Sequence, residues 1–158
     1  HAALPDGRFV LAGTDITNDN QALTAMIGKA GLKNQTHLLG AQDDIASVMN
    51  GIDVLISSSH GEAFPNVLGE AMACGTPCVA TDVGDCKTII GDTGAVVTAG
   101  AMHDLAKETI AILSLSAKKR SFLARKARIR IETHYEIGKI ASDFRTCFER
   151  IHKNMMTD

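Results

Sequence analysis

Two glutamates eight residues apart, Glu62 and Glu70, stand on either side of a proline in the run Ser57-Ser58-Ser59-His60-Gly61-Glu62-Ala63-Phe64-Pro65-Asn66-Val67-Leu68-Gly69-Glu70. Pro65 suits the opening turn of a helix, because its ring presets φ and its missing N–H would have no partner there anyway. Gly75 ends that helix, so the spacing predicts one from Pro65 to Cys74. A helix start presents free backbone N–H groups and a partial positive charge, which together suit a diphosphate. With Pro65 unable to donate, the donors are Asn66, Val67 and Leu68. Glu70, just over one turn inside, can accept two hydrogen bonds from adjacent hydroxyls such as those of a ribose. Glu62, in the loop on the other side, is placed to meet hydroxyls of a second sugar. Two glutamates at this spacing also serve as plain dipole partners at a helix start, so spacing alone leaves both readings open.

These residues need a scaffold. Short apolar runs predict strands at Phe9–Ala12, His37–Leu39, Val54–Ile56, Cys78–Ala80 and Ala95–Val97. Helical periodicity predicts helices at Gln21–Ala30, Asp43–Asn50 (with an acidic first turn), Pro65–Cys74, about Asp85–Ile90, His103–Leu115, Lys118–Tyr135 and Ile137–Ile151. Continuous apolar strands alternating with helices imply a parallel sheet covered on both faces. The fold class is therefore α/β: a Rossmann-like, doubly wound, three-layer α/β/α domain. In such sheets ligands bind beyond the carboxyl ends of the strands. The loops there hold Gly13-Thr14-Asp15, Gly40 to Asp43, Ser57 to Pro65 and Thr81 to Asp85.

Bulk properties narrow the field. A chain of 158 residues suffices for one domain with a real core, and we read 1–158 as a single domain with C-terminal helices from about 103. A net charge of -2 and an aromatic content of 4%, without tryptophan, argue against a nucleic-acid surface. No apolar run approaches membrane-span length and no signal peptide is visible, which fits the cytoplasm. Cys74, Cys78, Cys86 and Cys147 are read as free thiols, and Cys86 as a residue without a part in binding. His60 has no partner at ligand spacing, so no metal site is expected. Ser57 to Ser59 lack the Gly-x-Ser-x-Gly pattern of a nucleophile elbow.

The block from Glu62 to Pro77, followed by Val79-Ala80-Thr81-Asp82-Val83-Gly84, closely resembles the glutamate–seven–glutamate signature of family 4 glycosyltransferases of GT-B fold. Val10 to Gly13, His37 to Gly40, Ile52 to Val54 and Asp92 to Val97 extend the likeness over nearly the whole chain. The resemblance implies the C-terminal, donor-binding half of such an enzyme. Glu70 would then bind ribose hydroxyls and Glu62 the transferred sugar. Amides at Ala63, Phe64, Asn66 and Val67 would hold diphosphate and sugar, and Leu39, Gly40 and Gln42 would lie at the base. Gly13 and Leu68 complete the candidate donor contacts. The implied reaction moves a hexose or N-acetylhexosamine from a UDP-sugar to a glycan or lipid-linked acceptor, with retention and without a metal. The wording around Pro65–Gly69 and Val83–Asp85 is similar to transferases of bacterial surface polysaccharides, such as O-antigen and capsule.

Two departures stand out. Ala63 replaces a common glycine, and Thr88 replaces a common acidic residue. The family's first strand and helix, with an Arg and a Lys for the diphosphate, and its acceptor domain are expected to lie outside this chain. No turnover is therefore expected from it alone. The rival readings are a non-catalytic nucleotide-sugar-binding module and a UDP-sugar epimerase of GT-B fold. Lys118, Lys119, Arg120, Arg125, Lys126, Arg128 and Arg130 read as a solvated helix face, with contact to anionic lipid as the alternative. By family analogy the last helix crosses to the acceptor domain.

Overall fold

The computed structural model describes residues 4–155, in two compact units divided after Ile52. The first unit holds β1 (Phe9–Leu11), α1 (Gln21–Lys29), β2 (Thr36–Leu38) and α2 (Ile45–Asn50). The strands β1 and β2 pair in parallel, with Val10 opposite His37. Asn20 caps α1 by accepting a hydrogen bond from Leu23 N at 3.1 Å. Asp44 does the same for α2, taking Ser47 N at 3.0 Å and Ser47 Oγ at 2.6 Å. The expected acidic first turn of that helix is therefore a cap outside it. An aspartate oxygen that answers an orphan N–H holds more strongly than a charge merely near the dipole. These bonds keep the Asp44 carboxyl below its usual range.

The second unit holds β3 (Leu55–Ser57), α3 (Asn66–Ala73), β4 (Cys78–Thr81), α4 (Cys86–Ile90), β5 (Ala95–Val97), α5 (Met102–Leu113), α6 (Ala117–His134) and α7 (Ile137–Met155). Its sheet runs β3-β4-β5, all parallel, with Ile56 opposite Val79 and Val79 opposite Ala95. Every residue of β4 is buried. Successive side chains of a strand point to opposite faces, and both faces of β4 are covered. Val79 clusters with Leu105 and Ile112 of α5. Cys78 points Sγ at the Leu68 carbonyl of α3, 3.8 Å away. This is the expected helix–sheet–helix layering, and burying a side chain such as Val79 stabilises it by about 1.5–3 kcal/mol.

Helix α3 stops where the sequence says it should. Gly75 adopts φ 79°, its N–H donates to Met72 O and the next N–H, from Thr76, reaches back to Ala71 O. That pair of bonds satisfies the last carbonyls of the helix, and the left-handed residue it needs costs least as glycine.

The basic run on α6 departs from a uniformly solvated face. Arg130 donates from Nε to Ile89 O at 2.8 Å and from Nη2 to Thr88 O at 2.6 Å. It is thus a clamp on the carbonyl end of α4, where a cation is favoured. Lys126 pairs with Asp92 at 2.7 Å, and Arg128 with Glu132 at 2.8 Å. On α7, Ile137, Phe144, Phe148, Ile151 and Met155 form an exposed apolar stripe at helical spacing. No described helix is long and apolar enough to cross a membrane.

Candidate functional site

The loop that carries Glu62 leaves the end of β3 beside the end of β4. Ser57, the last residue of β3, pairs with Ala80, so Thr81 emerges next to the start of the loop. The Thr81 hydroxyl is fully buried and donates to Ser59 O at 2.6 Å. Ser59 in turn donates its own hydroxyl to Glu62 Oε1 at 2.8 Å. The turn after β4 supports the same loop from below. Asp85 N donates to Ala63 O at 3.0 Å. Gly84 has φ 50°, and a Cβ there would run into the carbonyl oxygens of Glu62 and Ala63. Only glycine allows that approach.

Pro65 departs from its expected place inside the first turn. It is the residue before α3, with φ -75° and ψ 93°, extended enough to bring the loop in. Asn66 is therefore the first helical residue, and Glu70 the fifth. The Leu68 N–H is already donated to Pro65 O at 3.1 Å, and the Leu68 side chain is buried. That bond leaves Asn66 and Val67 as first-turn donors without an acceptor among the described residues. Glu62 and Glu70 are both exposed, and no described residue donates a hydrogen bond to the Glu70 carboxylate. The surface between them thus offers amide donors flanked by two acceptors.

Phe64 is half exposed, its ring centre 6.0 Å from that of Tyr135. The Tyr135 hydroxyl donates to Thr88 O at 3.1 Å. Thr88 thus accepts from both Tyr135 and Arg130 through its carbonyl. Cys86, read from sequence as uninvolved, lies buried beneath the Glu62 loop. Burial first, and the Glu62 charge to a smaller degree, push its thiol up, against hydrogen bonds from the Val83 and Cys86 backbone.

The remaining candidates belong to the first unit. Gly13 N donates to Gly40 O at 2.8 Å and Gly40 N to Ile16 O at 2.9 Å, which ties the loops after β1 and β2 together. Leu39 is 39% exposed. Gln42 folds its amide back onto Leu39 O at 2.7 Å, so its side chain rigidifies that loop. Among the described residues no group of three His, Cys, Asp or Glu could hold a metal ion. Spacing gives no sign of Tyr135, nor of the backbone contacts made by Thr81 and Arg130, which lie inside runs that sequence reading marks for other reasons. Ser59 and Gly84 lie inside runs that sequence reading marks, though their contacts emerge only in three dimensions.

A family profile described as glycosyl transferases group 1 matches residues 1–115. N-acetyl-alpha-D-glucosaminyl L-malate synthase of Bacillus anthracis is 32% identical over 119 residues, covering 74% of this chain and 31% of that protein. N,N'-diacetylbacillosaminyl-diphospho-undecaprenol alpha-1,3-N-acetylgalactosaminyltransferase of Campylobacter jejuni is 29% identical over 149 residues, covering 93% and 38%. The solved structure of Anabaena HepE in complex with UDP superposes with a TM-score of 0.83 at 24% identity, covering 94% of this chain and 43% of that one, a likeness of fold. The chain spans about a third of the length of the curated relatives it matches.

Proposed function

Since this chain belongs to the glycosyl transferases group 1 family, we propose that it binds the nucleotide–diphosphate–sugar donor of a retaining, metal-independent transferase. The observation that carries the reading is the start of α3: two amides without an acceptor among the described residues, Asn66 and Val67, between the exposed carboxylates Glu62 and Glu70. In this reading the amides of Ala63, Phe64, Asn66 and Val67 hold the diphosphate and sugar. As the sugar departs, negative charge grows on the diphosphate, and fixed donors aimed at that charge favour the transition state. Glu70 accepts from ribose hydroxyls and Glu62 from the transferred sugar. Leu39, Gly40 and Gln42 are proposed as base-side contacts, and Gly13 as a further donor contact, on the resemblance alone.

The donor is proposed to be a UDP-sugar, and the HepE complex with UDP supports that choice. The acceptor is proposed to be a glycan or lipid-linked glycan of a bacterial surface polysaccharide, met at the cytoplasmic face of the membrane. The diphospho-undecaprenol in the name of the Campylobacter relative supports a lipid-linked acceptor. Lys118, Lys119 and Arg125 have no ion pair among the described residues and are the cations of α6 available to anionic lipid.

An NMR titration of the chain with UDP, GDP and ADP tests the donor. UDP is expected to shift amides from Glu62 to Glu70 and around Gly40, with GDP and ADP moving them less. If no nucleotide moves them, and none does in the full-length protein, the assignment fails.

A further inference from the structure

Glu62 sits on an exposed loop, and a free glutamate there would sample many rotamers. Binding a sugar hydroxyl would then cost the entropy of ordering it. The hydrogen bond from Ser59 Oγ to Oε1 removes much of that freedom before any ligand arrives. We propose that Ser59, itself anchored by Thr81, is the positioning residue of Glu62 and sets which sugar hydroxyl the carboxylate accepts. This rests on the reading of Glu62 as a sugar contact.

A carboxylate has two oxygens and about four acceptor sites. One oxygen, Oε1, is engaged by Ser59 at 2.8 Å. The bond restricts the rotamers of the side chain and leaves Oε2, to which no described residue donates, as the acceptor for a ligand hydroxyl. Ser59 can do this only if its own backbone is held. The Thr81 hydroxyl holds it, donating to Ser59 O at 2.6 Å from a residue 22 positions away. Its approach to Ser57 O, at 3.5 Å, is at the limit of a hydrogen bond and adds little. Below, the contact of Asp85 N with Ala63 O and the close passage of Gly84 fix the far side of the loop. The chain of bonds Thr81–Ser59–Glu62 thus transmits the geometry of the sheet to a carboxylate at the surface. An acceptor fixed in direction distinguishes an axial from an equatorial hydroxyl, and a swinging one does not.

The test uses the full-length enzyme with UDP-glucose, UDP-galactose and UDP-N-acetylglucosamine as donors, and UDP alone for binding. Ser59→Ala is expected to lower kcat/KM for the best of the three donors about tenfold and to narrow the gap to the next. The UDP Kd should stay within about twofold. Ser59→Thr, which keeps the hydroxyl, should restore both. Thr81→Val should act in the same direction more weakly, with Thr81→Ser restoring it. On a Glu62→Ala background, Ser59→Ala should add no further loss. If Glu62→Ala abolishes transfer while Ser59→Ala keeps rate and selectivity, the positioning role is wrong and the donor reading stands. If Ser59→Ala weakens UDP as much as it weakens transfer, the hydroxyl is merely structural and the proposal falls. If Glu62→Ala transfers sugar normally, the sugar-contact reading itself fails.

Discussion

Glu62 and Glu70 are held by unlike means. Glu70 owes its place to one element: Leu68, Ala71 and Met72 bury one side of α3, and helical geometry turns Glu70 to the other. Glu62 owes its place to residues far along the chain, at the end of β4 and in the turn after it. A helix position survives small changes elsewhere in the molecule, whereas a braced loop does not. On the proposed reading, the carboxylate carried on a fixed helix position suits a constant part of a donor, the ribose, and the braced one suits the part that varies between enzymes, the sugar.

The largest expected effect divides the two roles. In the full-length enzyme, Glu70→Ala should weaken UDP binding by about 2 kcal/mol, on the order of thirtyfold, because two hydrogen bonds to a charged acceptor are lost. Glu62→Ala should leave UDP binding almost untouched while transfer falls about a hundredfold. Isothermal titration and initial rates measure the two, and equal losses of UDP affinity would erase the division.

The next effect contrasts two glycines. Gly69, inside α3, has open space where a Cβ would go. Gly69→Ala should therefore stabilise the fold by about 0.5–1 kcal/mol. Gly84→Ala should destabilise by about 2 kcal/mol, since it combines a left-handed backbone with a collision against two carbonyl oxygens. Thermal melts that shift in the same direction would contradict the contrast.

The smallest effect is read at cysteines. Cys147 is exposed, whereas Cys78 and Cys86 are buried. At pH 8 a thiol reagent should modify Cys147 readily and spare Cys86, with Gly84→Ala raising the Cys86 rate a few-fold as the loop above it shifts. Burial pushes the Cys78 thiol from 9.0 up to about 12. Its folded value lies above its unfolded one, so its contribution to stability is complete below pH 9 and is lost as pH climbs toward 12. Denaturant melts of wild type and Cys78→Ala across that range should converge.

Much of this was legible in the chain. The five apolar runs become the five strands, and Gly75 ends α3 through a motif that glycine announces. The paired glutamates are a local pattern, and local patterns survive folding. Pro65 sits one position before its expected place because a proline fits both just before and just inside a helix, and ψ decides between them. The clamp by Arg130 was invisible for a different reason. Its partners, the carbonyls of Thr88 and Ile89, lie 42 and 41 residues back and carry no side-chain signature. Charge runs read as solvated faces because sequence records the cation and conceals a backbone acceptor. The same applies to Thr81, whose partner is again a main-chain oxygen.

The apolar stripe of α7 has a consequence for hydrogen exchange. Apart from half-buried Ile140, the described side chains of this helix are exposed, and no other helix or strand packs closely along it among the described residues. A 19-residue helix without such support is marginal in water. Its amides should exchange with deuterium through local fraying, within seconds to minutes. Those of β4, buried on both faces, should wait for global unfolding. On that expectation α7 opens independently of β4, and whatever covers its stripe would announce itself first as protection of these amides.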